Sequence, residues 1–223
     1  MNVKSDIKNK HQESFEIREK EQAFLSFLEE KVIYKTNFRF LIIYTKASKE
    51  VLYSIFKELL KDVLIIKFEK YTMVIYHNKE RVRLNNYIDA LCEDFGVTMN
   101  VFEGFIVNKE NNELFRKFIK IFNEKYSNSY SYATIRELVL EGNLNKDEIN
   151  VLKQILLDKY LKEAQFEKFI YSLFENNLNI SKTAKDVYMH RNTVNNKLTN
   201  FENDTTLVLQ NFKDAIVVYE LLK

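Results

Sequence analysis

The chain has no proline, no tryptophan, three glycines and one cysteine in 223 residues. Each scarcity excludes something. With no proline and so little glycine, helices run unbroken and elaborate loops are few. A lone cysteine, Cys92, rules out an intrachain disulfide framework and fits a reducing cytosol. It falls on the apolar face of a predicted helix, as a buried structural thiol would. The histidines, His11, His77 and His190, are scattered and offer no zinc-ligand spacing. There is no Gly-rich phosphate loop, no nucleophile elbow and no supported Cys–His pair. The expectation is therefore a non-enzyme with no catalytic residue, cofactor or metal. No apolar run approaches a membrane span, and the charged stretch from Lys4 to Lys20 contains no apolar signal core. These features predict a cytoplasmic protein without membrane association. Strong charge of one sign is also missing. At a net charge of +2 the chain is no polycation, so any affinity for an anion must come from a local patch.

The hydrophobic content, 46%, is enough for a sizeable core in one or two domains. Abundant Lys, Asn and Ile suggest an AT-rich bacterial genome. A first helix over residues 13–32 carries Phe15, Phe24, Phe27, Leu28 and Val32 among charges. It either pairs with a partner copy or covers this protein's own sheet. An apolar run at residues 38–44 has strand length. Ser48 can cap a helix with Val51, Leu52, Ile55, Phe56, Leu59 and Leu60 inward. Residues 63–68 and 71–76 suggest a tight antiparallel pair. Leu84, Tyr87, Ile88, Leu91, Cys92 and Phe95 mark a helix stopped by Gly96, and Val97, Met99 and Val101 alternate as a strand. The order is strand, helix, strand, strand, helix, strand, a ferredoxin-like split βαβ arrangement. A helix over residues 111–126 follows. From Tyr132 to Leu161 the pattern is helical, broken at Gly142-Asn143, with Asn145 as a cap. The predicted architecture is α+β: residues 1–34 an N-terminal helix, 35–126 a small α/β domain, 127–223 an all-helical domain.

The most informative stretch is residues 179–198, two short helices joined by a tight turn. Ala184 is small where a second helix must cross closely, and Val187, Met189, Val194 and Leu198 face inward. Val194, Leu198 and Phe201 form one buried stripe, while Asn192, Asn196, Thr199 and Asn203 collect on the opposite face. His190 can cap the second helix. Thr193 and the free N–H groups of the first turn can hold a phosphate oxygen. Between residues 181 and 200 the cations Lys182, Lys185, Arg191 and Lys197 stand against Asp186 alone. This is the pattern of a helix-turn-helix, about residues 180–202, that puts its second helix into a DNA major groove. The candidate DNA-binding residues are Lys182, Thr183, His190, Arg191, Asn192, Thr193, Asn195, Asn196, Lys197 and Thr199. The partner so implied is double-stranded DNA. A second possibility is an adaptor whose helical domain binds another regulatory protein. A protein-binding helix would show aromatic or Leu anchors on its outer face, and the Asn-rich stripe has none.

The same stretch, with residues 166–177 before it and residues 201–203 and 214–222 after it, resembles the C-terminal helix-turn-helix of the PucR/CdaR family of bacterial transcription regulators. More loosely, it is similar to the Fis and NtrC C-terminal domains. The resemblance implies a DNA-binding regulator with the α/β segment as a GGDEF-like domain, and a single helix-turn-helix, which contacts one half-site, predicts a homodimer. GGDEF cyclases hold their signature on the hairpin between the second and third strands, and the equivalent turn here, Glu69-Lys70-Tyr71-Thr72, has no glycine pair and a single acid. A degenerate, non-catalytic domain for dimerisation or sensing is expected. Two departures stand out. Family members often carry Arg and an aromatic where this chain has Asn195 and Asn196. They usually also carry a separate N-terminal ligand-sensing domain, for which this chain is too short, so the effector is unknown.

Overall fold

The computed structural model describes residues 3–29 and 36–223, with side chains described from residue 16 onward. Its centre is a five-stranded sheet: β1 (Arg39–Thr45), β2 (Leu64–Lys67), β3 (Thr72–Tyr76), β4 (Met99–Glu103) and β5 (Tyr132–Ala133). The spatial order is β2-β3-β1-β4-β5. β1 runs antiparallel to both β3 and β4, and β2 antiparallel to β3. The first four strands thus have the expected split βαβ order. The fifth, parallel to β4, was not expected. The helical pattern of residues 132–161 does not extend to its first two residues, since a two-residue strand is too short to leave a period in the sequence. It forms because Val101 N donates to the Ser131 carbonyl at 2.9 Å and the Tyr132 hydroxyl reaches Glu103 across the sheet.

Alternation along each strand feeds two cores. Leu41 and Ile43 of β1 face the layer formed by α2 (Lys49–Phe56) and α3 (Ile88–Phe95), where they meet Leu52, Ile55, Phe56 and Ile88. α2 starts where Ser48 Oγ accepts from Val51 N at 3.4 Å, and α3 stops at Gly96 in the left-handed region, φ 59°. Cys92 packs on this core but is only half-buried, so the expected full burial is not reached.

Phe40 and Ile42 face the other way, onto α1 (Val3–Leu28) and α4 (Asn112–Lys125). Phe24 and Phe27 of α1 are fully buried here, edge-on to Phe38 at 5.5 and 6.2 Å. Of the two possibilities left open for this helix, its described C-terminal half covers the protein's own sheet. Val32 and the Phe15 side chain lie outside the described residues. Phe40 is wedged among Phe105, Phe115 and Phe118 at centroid distances of 5.0 to 5.7 Å. Edge-to-face pairs of this kind each add about 0.5–1.5 kcal/mol beyond area burial. Gly104 is required beside them, since a Cβ there would lie 2.0 Å from Phe40 Cζ.

The remaining chain is helical: α5 (Ile135–Glu141), α6 (Lys146–Leu161), α7 (Phe166–Glu175), α8 (Ile180–Asp186), α9 (Arg191–Thr205) and α10 (Phe212–Leu222). α5 and α6 each begin with a capping box, Thr134 with Glu137 and Asn145 with Glu148. The hydrophobic cluster on the α4 face of the sheet continues without a break into these helices, from Phe40 through Leu152 and Phe201 to Val218. The helical part is therefore seated on the sheet. No helix among the described residues is long and apolar enough to cross a membrane.

Candidate nucleic-acid interface

α7 ends in two consecutive left-handed residues, Asn177 (φ 51°) and Leu178 (φ 62°), which turn the chain sharply. Asn179 then caps α8, its Oδ1 accepting from Lys182 N at 3.1 Å. Ala184 is buried, which permits the close crossing of α8 and α9. The connecting turn is closed by Met189 N donating to the Ala184 carbonyl at 2.9 Å. Tyr188 occupies the tightest point, left-handed at φ 55° and 93% exposed. An aromatic side chain left so bare at this turn was not singled out from the sequence. Only its position after a short helix and before the His190 cap could have flagged it.

His190 caps α9 as expected, with Nδ1 accepting from Asn192 N at 3.2 Å. Losing such a cap costs about 1 kcal/mol. His190→Ala is expected to lower unfolding free energy by about that amount and to speed amide exchange at Asn192. Unchanged exchange at Asn192 would show that the imidazole does not hold the first turn. Behind the cap, Val194, Leu198, Phe201 and Thr205 form the buried stripe. The Phe201 ring packs against Tyr160 of α6 at 5.0 Å and Phe166 of α7 at 6.0 Å.

The structure separates the sequence-predicted site residues into two groups. Lys182, His190, Arg191, Asn192, Thr193, Asn196 and Thr199 are exposed around the turn and along the outer side of α9. The rest are drawn inward. Thr183 is fully buried and its hydroxyl donates to the Asn179 carbonyl at 2.9 Å, so it ties α8 to its own cap and presents nothing outward. Asn195 is half-buried. Lys197, a candidate DNA contact, is half-buried and paired with Glu163 Oε2 at 2.8 Å.

The outer stripe also ends sooner than helical periodicity predicted. Asn203 does not reach solvent as its predecessors do. Its Oδ1 accepts from Arg81 N at 2.5 Å and its carbonyl from Arg39 Nη1 at 2.6 Å. Glu202 accepts two hydrogen bonds from Arg83, at 2.9 and 2.8 Å, and one from Arg81 at 3.3 Å. Arg81 in turn clasps Glu103 of β4. Burial works against the Arg81 charge, yet hydrogen bonding and attraction from Glu103 hold its pKa above the ordinary guanidinium value. Burial, then the charge of Glu103, raises the Tyr132 phenol. The last turn of α9 is thus bolted to the sheet, and only its first half is open to a ligand.

This open half displays amide and hydroxyl groups at the N-terminal end of a helix, where backbone dipoles favour anions. Residues 168–223 match the family model described as the PucR C-terminal helix-turn-helix domain. Among solved structures, the chain is similar to the crystal structure of a regulator of polyketide synthase expression from Bifidobacterium adolescentis, at 14% identity and a TM-score of 0.42, over 91% of this chain and 90% of that one. No curated protein matches the chain. The C-terminal end of the chain carries a helix-turn-helix similar to the PucR C-terminal domain, and this marks the protein as a transcription regulator.

Proposed function

We propose that this protein is a sequence-specific DNA-binding transcription regulator that acts as a homodimer in the cytoplasm. The observation that carries this is the capped α9, whose exposed side offers Asn192, Asn196 and Thr199 and no apolar anchor. An Asn amide has one acceptor and a donor pair, which match adenine N6 and N7 in the major groove. Lys182 and Arg191 flank these groups and suit phosphates. The polarity of this stripe favours DNA over the adaptor reading, because protein hot spots are built on aromatic anchors in desolvated pockets and exposed Tyr188 lies in the turn before α9, off the stripe. A single helix-turn-helix covers one half-site, and useful affinity needs two, hence the homodimer.

The domain division that accompanies this reading is residues 1–34, 35–126 and 127–223. The middle unit is a GGDEF-like module without catalytic activity, serving dimerisation or sensing. Its β2–β3 turn supports this: Phe68 N donates to the Tyr71 carbonyl at 2.9 Å, Tyr71 is buried against Phe122, and no glycine opens the backbone to a phosphate.

The test is binding to a library of single-base variants of a selected duplex at two salt concentrations. Asn196→Ala should cost on the order of 1–3 kcal/mol and relax preference at one base pair. Arg191→Ala should weaken all sequences alike and lower the salt slope by about one. Arg191 takes the phosphate role here because Lys197 is engaged with Glu163. If both variants lose affinity uniformly and preference is untouched, α9 does not read bases.

A further inference from the structure

The open stripe of α9 does not end in solvent. One turn past Thr199 it meets the segment between β3 and α3, which is seated over Asn203 through Arg81. Between the two runs a cleft of about 180 Å³, lined on the sheet side by Glu80, Arg81 and Arg83 and on the α9 side by residues 199–200 and 202–203, Glu202 among them. A duplex lying along Asn192, Asn196 and Thr199 therefore meets the sheet domain at this point. What it meets suits a phosphate backbone. The Arg83 side chain is 62% exposed, yet it is held in place by its paired hydrogen bonds to Glu202. Those bonds use two of the five N–H donors of a guanidinium and leave the others facing solvent. Beside it, Lys79, Asn85, Asn86 and Tyr87 are exposed.

Net charge does not carry this: Arg81 and Arg83 are paired with Glu103 and Glu202, Arg39 is buried with Glu103 and Asp204 acting on it, and exposed Lys79 and Glu80 cancel; what suits a phosphate is the placement of the Arg83 donors. A carboxylate-braced arginine has lost its rotamer freedom before the ligand arrives, so less entropy is spent on binding.

We infer that the segment from Lys79 to Tyr87 is a second DNA-contacting element, in which Arg83 binds a backbone phosphate just outside the half-site read by α9. The inference rests on the DNA-binding reading. It makes the sheet domain part of the interface and not a passive neighbour, and it extends the footprint of each half-site on one side.

The experiment uses the full chain and a duplex selected by it from a randomised library, with a shuffled duplex as comparison. Arg83→Ala should weaken both duplexes roughly tenfold, as loss of a charged hydrogen bond does, and lower the salt slope by about one. Hydroxyl-radical protection should disappear from the backbone sugars beyond one edge of the half-site while base preference stays as it was. Arg83→Lys should keep most of the salt dependence. Lys79→Gln, at an exposed position outside the ion network, should lower the salt slope in the same direction and serves if Arg83→Ala disturbs folding. Unchanged affinity and slope in both Arg83→Ala and Lys79→Gln overturn the inference. Tighter binding by Arg83→Ala also overturns it, since the segment would then be covering α9. Asn196→Ala, measured on the same library, reports independently on the reading itself: if it alters base preference while Arg83→Ala is silent, α9 reads DNA and the sheet domain does not touch it.

Discussion

Glu103→Ala is expected to lower the unfolding free energy by about 3–5 kcal/mol, the cost of stripping one partner from a buried ion pair. Glu103 is fully enclosed, and its carboxylate accepts from Arg81 Nε at 2.8 Å, from Arg81 Nη2 at 2.5 Å and from the Tyr132 hydroxyl. The Arg81 side chain is 9% exposed. Without Glu103 it keeps Glu202 at 3.3 Å and the Thr206 carbonyl at 3.3 Å, too little for a desolvated guanidinium. The damage should spread along the network. β5 loses the bond that fastens Tyr132, and the last turn of α9 loses its rigid brace. Urea denaturation measures the energy, and amide exchange at Asn203 and Asp204 measures the loosening. The double replacement Arg81→Met with Glu103→Leu should cost less than Glu103→Ala alone, because the Arg81 charge is then not left buried without its main partner. If Glu103→Ala costs less than about 1 kcal/mol, the value of an exposed pair, the network is not buried in solution as described.

Phe201→Ala should be comparably severe, about 3–5 kcal/mol, from lost transfer energy plus the cavity left behind. Phe201 is fully buried where α9 crosses α6 and α7, and its ring touches those of Tyr160 and Phe166. One neighbour, Tyr160, is held back from the space. The Tyr160 hydroxyl is tied to Asp204 Oδ2 at 2.7 Å and to the Asn200 carbonyl at 3.1 Å, both on α9. The functional consequence should exceed that of removing any one outer Asn. Asn196→Ala leaves α9 in place and changes one base preference, whereas Phe201→Ala tilts the whole outer stripe and should abolish discrimination between duplexes at a temperature where the chain is still folded. Phe201→Leu, which keeps most of the volume, should restore both stability and discrimination. Retention of full sequence preference by Phe201→Ala would mean that this crossing does not set the presentation of α9.

The caps and the apolar stripes were legible in the residues. Ser48, Asn145 and His190 each stand where their side chain accepts from the N–H groups two or three residues on. That relation is local, so the sequence displays it directly. The inward run Val194, Leu198 and Phe201 is a helical period with one solution, and the alternation of β1 assigns Phe40 and Ile42 to one face and Leu41 and Ile43 to the other. The ferredoxin-like strand order followed from element order, because a strand–helix–strand crossover leaves room for a third strand between the pair.

The outer face of α9 was only half legible. Asn196 and Asn203 are the same residue type two helical turns apart, yet one is exposed and the other bonded to Arg81 and Arg39. Lys182 and Lys197 are both cations in the motif, and only Lys197 is near a carboxylate, 34 positions earlier in the chain. Residue type and period on their own therefore determined which elements form, where they start and which side of each is apolar. Tertiary structure decided which polar side chains remain free, because a partner lying 34 to 164 residues away along the chain is brought near by packing of helix on helix and of the helices on the sheet, and no local pattern encodes that approach.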